Sequence, residues 1–133
     1  MSRIVLRKVV KTFGRVTAVA GVDLEIRDGE FVVLVGPSGC GKTSTLNMIS
    51  GLEQPTSGEI VIGDRVVNDL EPGERDLGMV FQDLALFPHM TVFENIAFGL
   101  RVKRAPEAEV RRRVSETAAA MRITPLLDKK PAQ

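Results

Sequence analysis

The sequence predicts an α/β fold, and three observations carry that prediction. In the first third of the chain Ile4 and Leu6, then Val22, Leu24 and Ile26, alternate with polar residues at period two, as half-buried strands do. Phe31, Val32, Val33, Leu34 and Val35 form a continuous apolar run with no polar face, which suits a central strand covered on both sides. After the glycines between positions 36 and 41 the period changes: Leu46 and Ile49 fall three apart in a segment free of Pro and Gly, so a helix follows.

Taken in order, Gly14 and the pair Asp28-Gly29 punctuate the first strands as turns, and residues 31–35 are expected to be the innermost strand of this half. Gly51 supplies a stop for the first helix. Residues 55–58 read as a turn, 59–62 as a short strand, 68–74 as a loop containing Pro72-Gly73, and 77–81 as a further apolar strand. Thr91 with Glu94 has capping-box spacing and starts a short helix through Ile96 and Phe98, closed by Gly99. Pro106 suits the first turn of a longer helix in which Val110, Val114, Ala118 and Met121 make one apolar stripe. Its other face carries Arg111, Arg112, Arg113 and Glu116, read as a solvated face in preference to a phosphate or nucleic-acid surface.

Composition narrows the function classes. The 133 residues are one domain's worth of chain, with 18 Lys+Arg against 17 Asp+Glu, a formal charge of +1 and 44% hydrophobic residues. That excludes a disordered or tail-like chain and a nucleic-acid binder working by bulk charge. Cys40 has no internal disulfide partner and the N-terminus lacks a signal-peptide plan, so a reducing compartment, most simply the cytoplasm, is expected. No apolar run approaches the ~20 residues of a membrane helix.

One motif carries chemistry. Gly36, Pro37, Ser38, Gly39, Cys40, Gly41, Lys42 and Thr43 satisfy G-x-x-x-x-G-K-[ST], the phosphate-binding loop. Glycines let backbone N–H groups turn inward around a polyphosphate, Lys42 adds a mobile charge for the β and γ phosphates, and the Thr43 hydroxyl can ligate Mg²⁺. The following helix points its positive end at the anion. Its placement between an apolar strand and a helical pattern is the setting the motif requires. Cys40 reads as a small residue whose backbone matters, although N–H groups and Lys42 would favour a thiolate there.

Beyond the loop the chain resembles, from end to end, the ATP-binding cassette (ABC) ATPase subunits of membrane transporters. The resemblance rests on Ser44-Thr-Leu, Ile49-Ser-Gly51-Leu, Pro55-Thr-Ser-Gly58 and Met79-Val-Phe-Gln82, the last similar to the family's Q-loop. Asn68-Asp-Leu, Glu74-Arg-Asp76, Ala85-Leu-Phe-Pro-His-Met-Thr-Val92 and Glu94-Asn-Ile-Ala-Phe-Gly-Leu100 resemble the carbohydrate-uptake branch, the maltose and glycerol-phosphate importers; importers of polyamines, iron or oxyanions share much of that stretch. The implied fold is a P-loop NTPase of the ABC type. It comprises an N-terminal antiparallel β subdomain over about residues 1–30, the start of the RecA-like core with the Q-loop over 31–90, and the start of the helical subdomain over 91–133.

The resemblance also implies roles. Phe13 takes the place of the aromatic that stacks on adenine, where the family often has Tyr or Trp; the plainer alternative is a buried strand-end aromatic. ATP and Mg²⁺ are the implied cofactors, held by residues 36–43 with Ser44 bonding the α phosphate. Lys42 and Gln82 are the implied catalytic residues, with Thr43 and Gln82 on the metal. Residues 84–87, from Leu84 to Phe87, fit the groove that receives a transmembrane permease subunit, and a second cassette is the expected partner. No nucleic-acid partner is expected, and the location implied is cytoplasmic, peripheral on the inner face of the cell membrane. His89, the only histidine, reads as a loop or interface residue.

The family's signature Leu-Ser-Gly-Gly-Gln, its apolar strand ending in Asp-Glu and its switch histidine do not occur here. Lys129-Lys-Pro-Ala-Gln133 resembles the stretch just before the signature. The expectation is therefore an N-terminal portion that binds ATP for an importer, most simply a sugar importer, but does not hydrolyse it alone. Rivals are a nonenzymatic fragment that pairs with a full-length cassette and a nontransport ABC protein of DNA repair or translation. The innermost strand is expected to lack its neighbour, which favours self-association or a partner.

Overall fold

The computed structural model describes residues 2–81 and 85–132. It divides into two units, Met1–Met79 and Val80–Gln133.

In the first unit β1 (Ile4–Phe13) and β2 (Val16–Ile26) form an antiparallel hairpin about Gly14-Arg15, and β3 (Ser57–Ile62) and β4 (Arg65–Val66) extend it. Among the described residues these give a sheet of order β2-β1-β3-β4. The period-two pattern does not run unbroken. The register slips between Leu6 and Val9, Lys8 takes a φ of 47°, and its N–H is satisfied by Asp23 Oδ1 at 2.9 Å. That bulge lets Leu6 and Val9, three apart, both turn to the core. There they meet Val19, Ile60, Val67 and, from helix α1 (Lys42–Ser50), Met48 and Ile49. The sheet thus anchors α1 by its C-terminal half and leaves its N-terminal end at the surface.

The inward face of α1 is Thr45, Met48 and Ile49, spaced i, i+3, i+4, while Leu46 is half-exposed. Leu46 was expected on that stripe, but it stands about 100° round the helix from Thr45. The larger correction concerns residues 31–35 and 77–81, which were expected to be strands. Neither makes strand pairings, and Phe31 and Val35 are 90% and 88% exposed. A strand needs a neighbour's N–H and C=O groups, and neither run is hydrogen-bonded to the sheet, whose edge strands are β2 and β4. Val33, Leu34 and Val35 instead border an open cavity of about 370 Å³ with Val22 and Leu24 of β2.

The second unit is a helical hairpin, α2 (Val92–Val102) and α3 (Glu107–Ala120). Ala97, Val110 and Val114 are fully buried, with Phe93, Ile96, Leu100 and Leu127 packed against them. The capping box forms as read: Glu94 N–H donates to Thr91 Oγ1 at 3.2 Å and Thr91 N–H to Glu94 Oε2 at 2.7 Å. The sequence expectation that Gly99 closes α2 is not met. The helix continues to Val102 because Leu100 belongs to the core and Arg101 pairs with Glu107 at 3.2 Å. Met121 is not part of the α3 stripe either. It lies past the last turn, 66% exposed, where Arg122 at φ 58° redirects the chain. The arginine run is a solvated face: Arg111, Arg112 and Arg113 pair with Glu107, Glu116 and Glu109 at i,i+4 spacing. Such exposed pairs contribute at most about 0.5 kcal/mol each. Among the described residues no helix is long and apolar enough to cross a membrane.

Candidate functional site

Residues 36–43 wrap the start of α1, and backbone sterics make them do so. Gly41, the N-cap, has a φ of 90°, a region closed to side chains, and a Cβ there would also strike the Ala18 carbonyl of β2. The loop is therefore seated directly on the hairpin. A Cβ at Gly36 would fall 2.6 Å from Cys40 Sγ, so Cys40 fills the inside of the turn as a small residue, though its surface stays exposed. Thr45, buried one turn into α1, closes the loop by donating its Oγ1–H to Gly41 O at 2.9 Å.

Lys42 completes the ring. Its Nζ donates to Gly36 O and to Pro37 O, each at 2.7 Å, and lies 3.4 Å from Cys40 Sγ. The ammonium thus hangs over the loop on neutral carbonyls, with no carboxylate partner among the described residues. Helix α1 has no side-chain cap and no acidic residue in its first turn. An uncapped N-terminus leaves backbone N–H groups open, and the helix dipole adds to their positive potential. Thr43 is exposed beside Ser44, and both line a shallow cavity of about 130 Å³ with Ala18, Gly39, Gly41 and Lys42. A polyphosphate fits this donor set: glycine backbone, one mobile cation, two hydroxyls and no competing anion.

Phe13 sits at the turn end of the β1–β2 hairpin, paired across to Val16 and 49% exposed, not buried as the plainer alternative had it. Lys11 Nζ lies 4.9 Å from its ring centroid and is itself fixed by Gln54 O at 2.7 Å. One face of the ring is thereby covered. The hairpin that carries Phe13 also carries Ala18, the seat of the loop, so both sequence-predicted features lie in one unit. Gln82 and Leu84 lie outside the described residues. In the second unit Phe87 packs on Phe98 with centroids 4.6 Å apart, and His89 meets Phe87 edge-on at 6.1 Å on an exposed loop.

Two side chains to which the sequence assigns no role, Asn95 and Arg75, organise these segments. Asn95, on α2, accepts from Phe87 N–H at 2.9 Å and donates to Phe87 O and Thr91 O at 3.1 and 2.9 Å. Arg75, 3% exposed, donates to the Met48 and Ile49 carbonyls at the end of α1 and to Leu70 O and Asn68 O. Burial draws its pKa down, and the nearby Glu71 charge pulls it back up.

The ABC transporter family matches residues 19–133. Over its whole length the chain is 53% identical to the sn-glycerol-3-phosphate import ATP-binding protein UgpC of Bordetella avium and 57% identical to that of Rhizobium meliloti. It spans 37% and 38% of the length of those two relatives. Two solved structures of the ATP-binding cassette MJ0796, one described as a dimeric post-hydrolysis state bound to ADP and Pi, superpose with TM-scores of 0.85 and 0.86. They are 35% and 36% identical to this chain; the match covers 98% of it and 62% of each of them.

Proposed function

The chain belongs to the ABC transporter family, and from that premise we propose that it is the nucleotide-gripping portion of an importer's ATP-binding subunit, holding ATP with Mg²⁺ on residues 36–43. The observation that carries the reading is the uncapped N-terminus of α1, ringed by glycines and by an ammonium resting on neutral carbonyls.

In this reading Lys42 exchanges the Gly36 and Pro37 carbonyls for β- and γ-phosphate oxygens, a stronger, charge-assisted contact. Thr43 and Gln82 hold the metal, which neutralises charge at the phosphates; Ser44 bonds the α phosphate. The open face of Phe13 stacks on the base, for which a π face suffices. Residues 84–87, with Phe87 backed by Phe98, dock a transmembrane permease subunit, and a second cassette completes the ATP site. The dimeric MJ0796 structures support that pairing. Hydrolysis, with Lys42 and Gln82 taking part, belongs to the complete cassette at the inner face of the cell membrane. The relatives named for sn-glycerol-3-phosphate import support a sugar or polyol phosphate as the transported solute.

Isothermal titration of the chain with ATP and Mg²⁺ tests the core of this. Changing Lys42 to Ala should weaken binding about tenfold or more, the loss of a charge-assisted contact of roughly 1.5 kcal/mol or above. Equal affinity in the two proteins would sink the assignment.

A further inference from the structure

We propose that Arg75 is a positioning residue that ties the far end of the phosphate-loop helix to residues 76–79, so that a nucleotide settling on the N-terminus of α1 is felt there. The inference rests on nucleotide binding at residues 36–43.

The guanidinium works as a clamp with jaws on two segments. Nη1 donates to Met48 O at 2.6 Å and to Ile49 O at 3.0 Å, carbonyls at the C-terminal end of α1. On the other side Nε donates to Leu70 O at 2.9 Å and Nη2 to Asn68 O at 3.2 Å. A cation on helix-end carbonyls also complements the negative end of the dipole. Gly51, the C-cap of α1 at φ 85°, makes room for it, since a Cβ there would lie 2.6 Å from Arg75 Nε.

Two features make this a link between moving parts as well as a core contact. First, α1 is a short rigid rod of nine residues with the phosphate loop at one end and Arg75 at the other, so a displacement of its N-terminus reappears at Met48 and Ile49. Second, the chain leaves the clamp at once. Asp76 adopts a φ of 51°, and residues 77–81 run on without strand pairing in the stretch that precedes Gln82 in sequence. Residues 77–79 make no strand pairing among the described residues, and Arg75 is a fixed point just before them in sequence from which they can take their position. Lysine cannot replace it: a single ammonium lacks the planar fork needed to reach carbonyls on both sides.

Backbone amide NMR on the 133-residue chain, titrated with ATP and Mg²⁺, tests the link. In the unmodified chain signals from residues 36–44 and from 77–79 should both move. In Arg75→Lys the first group should still move, with affinity within about threefold of the original, while the shifts at 77–79 fall by about half or more. Equal responses at 77–79 in the two proteins, or none there in the unmodified chain while the loop responds, would overturn the link and leave the nucleotide reading standing. No response at residues 36–44 would remove that reading and the link with it. Should Arg75→Lys fail to fold, Gly51→Ala, which keeps the charge but displaces the guanidinium, should show the same loss at 77–79. Unfolding of both variants counts against the proposal, because it leaves Arg75 a residue of stability alone.

Discussion

Strand β3, with Ser57, Gly58 and Glu59 ahead of Ile60, Val61 and Ile62, is less apolar than residues 31–35, yet it is the one that is buried. Ile60 is fully buried and Val61 nearly so, whereas Phe31 and Val35 stand almost fully in solvent. The difference is what each finds at its edges. On one side β3 pairs with β1, Leu6 opposite Ile60 and Val5 opposite Val61. On the other, β4 covers Val61 and Ile62, and where β4 stops the ladder is continued by other groups: Val67 N–H donates to Ile60 O at 2.9 Å, and Asn68 accepts from Ile60 N–H and donates to Gly58 O. Residues 31–35 find no such donors among the described residues. Apolar character selects a segment for burial, but partners for its backbone decide whether it becomes a strand.

If that is right, removing the side chain of β3 at its best-packed point should have the largest effect. Ile60→Ala leaves a cavity beneath β1 and α1 and should cost about 2–5 kcal/mol of unfolding free energy in urea. The next effect tests the backbone half of the argument. Asn68→Ala strands the Ile60 N–H and the Gly58 carbonyl, both in part-buried surroundings, for a loss of about 1–3 kcal/mol. A change of less than a few tenths would show that water replaces the side chain there and that edge pairing is not what distinguishes β3.

The same distinction explains what could be read from the residues in advance. The phosphate loop was legible because its constraints are local: Gly41 needs a positive φ, and Lys42 reaches carbonyls five and six positions back. The capping box was legible for the same reason. Strands 31–35 and 77–81 were over-read, since a strand's partner can lie anywhere and periodicity carries no word of whether it is there. The bulge at Lys8 was invisible because its cause is Asp23 on another strand. Arg75 and Asn95 went unassigned because their partners are backbone carbonyls and amides, which every residue possesses.

Helix α2 is the intermediate case, with partners present and only three residues apart. Thr91→Ala should cost about 1 kcal/mol, typical of losing an N-cap hydroxyl. Glu94 gives the cap a pH dependence whose sign is fixed. The backbone hydrogen bond from Thr91, aided by its hydroxyl, Arg101 and Lys130, holds the Glu94 pKa below its ordinary value against a smaller desolvation effect. A carboxylate lowered in the folded state contributes stability that is complete above its unfolded pKa and is lost as pH falls through the folded one. Circular dichroism should therefore show α2 weakening below about pH 4.3. Glu94→Gln should flatten that part of the profile; an unchanged profile would assign the acid sensitivity to other groups.

The smallest expected effect on stability belongs to the open run, and it cuts most sharply. With Phe31 and Val35 already in solvent, Phe31→Ser and Val35→Ser should each alter unfolding free energy by no more than about 0.5 kcal/mol, since nothing buried is lost. What they should change is association. An exposed apolar segment with unpaired backbone invites the same segment of another molecule, so sedimentation velocity of the unmodified chain should show a concentration-dependent shift that the double variant lacks. A drop of several kcal/mol in the variant would mean that residues 31–35 are paired in solution after all. A unmodified chain that sediments as a monomer and unfolds in one sharp transition would mean that backbone without partners is better tolerated here than β3 suggests, and the contrast between the two runs would then rest on side-chain packing alone.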